Sequence, residues 1–207
     1  MAVSYPLAFP THTGVRSVNL RAVQAQGMTQ SIFTYKQQVV SHDGARWEAE
    51  ISLPPMSRQN AEAWLGWLLS LRGMVGTFLM GDPAGATPMG EAGGTPLVNG
   101  ASQTGASLVI DGATPSQSSW LRAGDYFQLG SAASSKLYKV TQDVVTDGSG
   151  NATLEIWPSL RSSPSDNDAL TVTGAKGLFR SSRKDVEWSV NEATQYGVTF
   201  PVIEAIT

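Results

Sequence analysis

Hydrophobic and polar positions alternate over much of this chain. In residues 15–24, Val18, Leu20 and Ala22 share one face with Arg21 opposite. In 31–40, Phe33, Tyr35 and Val39 oppose Lys36 and Gln38. In 46–53, Trp47, Ala49, Ile51 and Leu53 alternate with Glu48, Glu50 and Ser52. A period of two marks strands with one buried face. His42-Asp43-Gly44 lies between the second and third runs, and Asp-Gly in that place predicts a hairpin turn.

Pro54-Pro55 ends the third run, because proline cannot donate to a ladder. Ser57 then predicts a helix N-cap, with a helix over Arg58–Arg72 and a stop at Gly73. Ala61, Trp64, Leu65, Leu68 and Leu69 form one apolar stripe, while Trp67 and Leu71 are read as lying outside it. A surface helix needs one stripe to cover a core. Two readings of the surplus stand: a helix deeply buried in its own domain, or a helix with one side on a sheet and the other against a second subunit. Trp64, Trp67 and Leu71 are the candidate contact residues of the second reading.

Val75–Met80 is a short predicted strand. Residues 81–96 (GDPAGATPMGEAGGTP) are rich in Gly and Pro without periodicity and predict a linker. Strand-like runs follow at 108–110, 126–129, 136–145, 152–157 and 169–173, with turn clusters between them. That spacing predicts a small barrel or sandwich. After a small-residue stretch at 174–177, the runs 185–190 and 196–202 predict a closing hairpin. A lone hairpin is marginal in water. The expectation is therefore that it completes the first sheet, giving a discontinuous domain, 1–80 and 177–207, interrupted by an inserted domain, 81–176.

Composition narrows the function classes. Of 207 residues, 41% are hydrophobic and only 15% charged, and there is no cysteine. Disulfides, thiolate metal sites and cysteine nucleophiles are excluded. The net charge of −3 argues against a surface built for polyanions. No run is long and apolar enough to span a membrane, and the N-terminus lacks the marks of a secretory signal.

Chemistry is sparse. The two histidines, His12 and His42, are the only candidate bases for a nucleophilic triad, both read as solvated turn residues, and no His pair stands at helical spacing for a metal. Asp166 and Asp168 lack the glycine and distal glutamate of a calcium loop. Glu48 and Glu50 lie on the outer face of one strand and read as solvated surface; Arg180, Arg183 and Lys184 form a small basic cluster that reads as a solvated strand or a subunit contact. Trp120, Tyr126, Phe127, Tyr138 and Trp157 lie in the barrel segment, where aromatics either fill a core or stack on ligands. Trp120, Tyr138 and Trp157 are the candidate surface-ligand residues. No catalytic residue, metal or cofactor is implied.

The order of pieces resembles a known family. WEAEISLPPMSRQNAEAWLGWLLSLRGMVGTFLMGDP (47–83), followed by a Gly/Pro break, and the later LRAGDYFQLG, LYKVTQDVVTDGSGNATLEIWPSL and GLFRSSRKDVEWSV, look like the distal tail proteins of long-tailed bacteriophages. The resemblance implies a mainly β fold: a tail-tube-like β-sandwich with one helix, plus an inserted small β-barrel, OB-like or galectin-like. It implies a homohexameric ring at the virion tail tip, made in the host cytoplasm. The ring would sit between the tail tube protein and the tail hub protein, beside other tail-tip proteins, with DNA passing but not bound and no membrane insertion. The alternatives are a carbohydrate-binding tail module that contacts host glycans through the barrel, and another tube or terminator subunit.

Overall fold

The structure is a computed structural model, and it describes residues 3–10 and 14–206. His12 lies outside the described residues. The fold of the described residues is mainly β, with two sheets and one α-helix.

β1 (Ser17–Gln30) and β2 (Gln37–Ser52) form one long antiparallel ladder. The turn between them is Ser31–Lys36, not His42–Gly44. The Ser31 N–H donates to the Lys36 carbonyl at 3.0 Å. The Ser31 hydroxyl accepts the N–H groups of Phe33 and Thr34, each at 3.3 Å, and Tyr35 takes the left-handed conformation, φ 54°. The Asp-Gly pair serves a different device. Gln24 faces Ala45 and Gln26 faces Ser41, so residues 42–44 bulge out opposite Ala25. A bulge and a tight turn favour the same residue types, which is why the motif misleads.

The first sheet runs β1-β2-β12-β10-β3, where β3 is Phe78–Met80, β10 Gly177–Ser181 and β12 Tyr196–Glu204. A short β11 (Trp188–Val190) pairs with β12. Segments from both ends of the chain thus share one sheet. β10, hidden in the small-residue stretch, carries no alternation because its burial is nearly continuous.

α1 (Arg58–Ser70) packs on this sheet. Ser57 holds the N-cap position in extended conformation but makes no side-chain cap bond; its carbonyl accepts from Asn60 and Ala61. Leu71 is the C-cap, and Arg72 and Gly73 follow at φ 51° and 67°. The left-handed backbone ends the helix, and a side chain at Gly73 would meet the Lys184 carbonyl oxygen at 3.0 Å, which favours glycine there.

The helix does not divide its apolar groups between two neighbours. At 3.6 residues per turn, Leu71 lies about 20° from Trp64 on one side of the wheel, and Trp67 about 60° on that same side, whereas Leu69 is about 140° away. Trp67 and Leu71 therefore belong to the buried face, and Leu69, 58% exposed, leaves it. Trp67 sits 5.0 Å from Phe78 and 5.3 Å from Phe9, centroid to centroid, and Trp64 lies 5.6 Å from Phe9.

The second sheet follows the order β4-β5-β8-β7-β6-β9: β4 Gly94–Val98, β5 Ser107–Ala113, β6 Tyr126–Leu129, β7 Lys136–Val140, β8 Ala152–Trp157 and β9 Leu170–Thr171. A bridge between Leu97 and Ala169, with the Val98 N–H on the Asp168 carbonyl at 2.9 Å, brings the two edges together into a barrel. Leu108, Ile110, Trp120, Phe127, Tyr138 and Leu154 are wholly buried inside it.

Residues 81–96 are no free linker. The Asp125 carboxylate accepts the N–H groups of Met89, Gly90 and Arg122, and Ala92 donates to the Trp120 carbonyl. Residues from 94 onward already form β4. Gly90 is needed for close approach, since a Cβ there would stand 2.4 Å from the Trp120 carbonyl oxygen. Glycine density here reflects tight packing.

The chain leaves the first sheet at Met80 and returns at Gly177, and these two residues face each other in the β3–β10 ladder. The barrel is docked against the first sheet. The Trp47 ring meets Trp157 edge-on at 4.5 Å and Tyr126 at 6.0 Å, and its Nε1 donates to the Leu137 carbonyl at 3.0 Å.

Candidate functional site

Most sequence candidates turn out to be interior. Trp64, Trp67 and Leu71 are buried by the chain itself, Trp67 being 8% exposed, so they have no surface to offer a neighbouring subunit. The reason is the helical phase given above. Trp120 and Tyr138 lie in the barrel interior and cannot stack on a surface ligand. Trp120 Nε1 donates to the Gly93 carbonyl at 2.8 Å. Tyr138 stacks on Phe127 at 5.3 Å, and its hydroxyl accepts the Arg161 N–H at 3.1 Å. Burial pushes the Tyr138 hydroxyl pKa up, and Tyr126 moves the same way for the same reason. Trp157 is half-buried against Trp47. A barrel of this size uses its large side chains as filling.

The polar candidates are local. Asp166 accepts from Gly100 N–H and Asp168 from Ser165 N–H, each organising its own loop. Among the described residues no three His, Asp or Glu groups stand close enough to hold a metal ion. His42 is exposed. Glu48 is bridged by Arg46 at 2.6 Å and Arg21 at 2.7 Å. The hydrogen bond from Arg46 is the main cause that lowers its carboxyl below the usual range. Glu50 is exposed, and Arg183 pairs with Glu187 at 3.6 Å. No helix among the described residues is long and apolar enough to cross a membrane.

What alternation alone did not mark is the far half of the β1–β2 ladder. β12 accompanies β2 only from Ser52 to Glu48. Past that point β1 and β2 have only each other and project as a two-stranded arm. Its apolar side chains lie in water: Phe33 is 88% exposed, Ile32 76% and Tyr35 73%, with Met28, Val39 and Val40 also exposed. Residues 24–41 carry one charge, Lys36, among many glutamines and threonines. A bare hairpin is marginal in water, and a charge-poor apolar edge invites pairing, so such an arm is built to be covered. The signal available in the sequence was this shortage of charge. Alternation predicts a shared strand face for Phe33, Tyr35 and Val39, but Phe33 and Tyr35 lie in the turn, only Val39 is in a strand, and all three are exposed.

The described residues thus form a sheet with a docked barrel and an uncovered two-stranded arm. Residues 85–174, a little under half of the chain, match the family model described as the B domain of distal tail protein pb9. The barrel is thus similar to a domain of a bacteriophage distal tail protein, and this similarity supports a structural role at a virion tail tip. The matched span is the barrel with its bracing segment. No curated protein matches the chain.

Proposed function

We propose that copies of this chain close into a ring, six in number, that joins the tail tube protein above to the hub protein below. The observation that carries this reading is the arm. A ring uses heterologous contacts, in which one patch of each copy meets a different patch of the next. An arm with Phe33, Ile32 and Tyr35 in water supplies one such patch, and its reach beyond the parent sheet suits a contact to a neighbouring copy. The subunit contact is thus moved from the helix to the arm.

In the same reading, 1–80 and 177–207 form the ring-building domain and 81–176 an inserted barrel carried on it. The opposition of Met80 and Gly177 supports this division, since a chain can be interrupted most easily where its two cut ends lie together. The net charge of −3 suits a lumen that lets DNA pass without retaining it.

The test is the mass of the assembly by native mass spectrometry and its outline by negative-stain microscopy, for the chain alone and mixed with the tail tube protein. A closed six-copy ring is expected in the mixture. A chain that stays monomeric in both samples overturns the reading.

A further inference from the structure

We propose that Arg161, which belongs to the barrel, controls the set of the projecting arm. The arm begins where β2 loses its partner strand. The β12 ladder ends at Ile203 opposite Glu48. The next rungs are made by side chains. The Glu204 carboxylate accepts the Trp47 N–H at 2.9 Å. Arg161 grips the same carboxylate through Nη2 at 2.5 Å and Nε at 3.2 Å, and its Nη1 donates to the Ala45 carbonyl. The pair is buried, with side-chain exposures of 9% for Arg161 and 4% for Glu204. A planar guanidinium that serves a carboxylate and a backbone carbonyl together fixes both in direction as well as distance.

The next residues toward the arm tip are the bulge, 42–44, followed by the exposed part of the arm. Arg161 is therefore the last fixed point before β2 becomes free. It is held in turn by the barrel, since its own N–H is on the Tyr138 hydroxyl inside the barrel. Trp47, one residue beyond Arg46, is seated on Leu137, Tyr126 and Trp157, all barrel residues. A force that shifts the barrel pulls on Ala45 and Trp47, and so on the root of the arm. The coupling is reciprocal: an arm held by a neighbour also fixes the barrel. This is a property of one chain. Its use, carrying a contact made by the barrel into the ring, rests on the ring reading above.

The experiment is hydrogen exchange on the full chain, wild type against Arg161→Met and against the double variant Arg161→Met/Glu204→Leu. The double variant removes both charges and leaves none buried without a partner. Exchange over 24–30 and 37–47 is expected to quicken on the order of tenfold in both variants. The barrel strands 107–113 and 152–157 and the helix 61–70 are expected to keep wild-type protection. Arg161→Lys is expected to recover only part of the arm's protection, because an ammonium cannot serve both acceptors in one plane. Unchanged protection in the arm overturns the proposal, as does acceleration spread evenly over the molecule. Failure of both variants to fold also counts against it, because an arm-local role leaves both cores intact. Assembly mass is measured separately, so loss of the ring reading and loss of this coupling are distinguishable.

Discussion

Replacing Phe33 with serine probes the arm directly. The side chain is 88% exposed in the single chain, so little that holds the fold is removed. The change in folding free energy is expected to stay within about 0.5 kcal/mol, the range for surface substitutions. In an assembled ring the same side chain is covered by the next copy. Burying a phenylalanine is worth about 1.5–3 kcal/mol, which at about 1.4 kcal/mol per tenfold weakens each subunit contact by roughly 10- to 150-fold. Every contact in a closed ring suffers the same loss, so assembly fails over a narrow concentration range. The assay is a dilution series by sedimentation velocity, with and without the tail tube protein, beside a thermal melt of the same sample. A variant that melts like wild type but assembles only at much higher concentration agrees with the reasoning. A variant with the wild-type dilution profile refutes it, because the tip would then carry no contact. Ile32→Ser is expected to act in the same direction, but the two changes share neighbours and will not add.

The converse holds for the helix. Trp67→Ala removes a side chain packed against Phe9, Phe78 and Phe200 and is expected to cost about 3–5 kcal/mol of folding stability; denaturant unfolding checks this, and a loss below about 1 kcal/mol would contradict the placement of Trp67 in the core. Replacing 81–176 by a short Gly/Ser bridge from Met80 to Gly177 is expected to leave a cooperatively folding domain. Its melting temperature should fall, because Trp47 loses Trp157, Tyr126 and Leu137; a broad, non-cooperative melt counts against the inserted-domain reading. Burial raises the pKa of Tyr138 in the folded chain, so the neutral phenol is favoured there. Stability from this source is full below the unfolded tyrosine value of about 10 and is lost as pH rises through the folded value. Urea midpoints followed from pH 8 upward should therefore fall less steeply in Tyr138→Phe than in wild type, and equal slopes would refute the assignment.

Which parts were legible in the sequence follows from what each signal measures. Alternation in 46–53 placed Trp47, Ala49, Ile51 and Leu53 inward, and all four are buried, because that strand lies in the middle of a sheet with one face covered. The same signal in 31–40 predicts a shared face for Phe33, Tyr35 and Val39, yet the first two fall in the turn and all three lie in water. Period two reports that a strand has two unlike faces, not what covers either. Asp43-Gly44 predicts a turn but is part of a bulge, since both need a tight local bend and only the partner strand distinguishes them. β4 and β10 are hidden to local pattern because their first residues, Gly94 and Gly177, belong to small-residue stretches that resemble linker, whereas here glycine lets backbones pass at close range.

Local pattern alone carries a charge-poor, cysteine-free, mainly β chain with one helix between Pro54-Pro55 and Gly73. These follow from local rules of spacing, conformation and chemical type, which act within a few residues. That Trp67 and Leu71 share a helix face with Trp64 follows from the local period, but contacts between distant segments settle that this face is covered, that Trp120 and Tyr138 fill a barrel, and that the arm stands uncovered. They also settle that Arg161 and Glu204, 43 residues apart, meet at the arm's root. Which apolar side chains remain in water depends on which distant segments come to lie over them, and no local pattern carries that information.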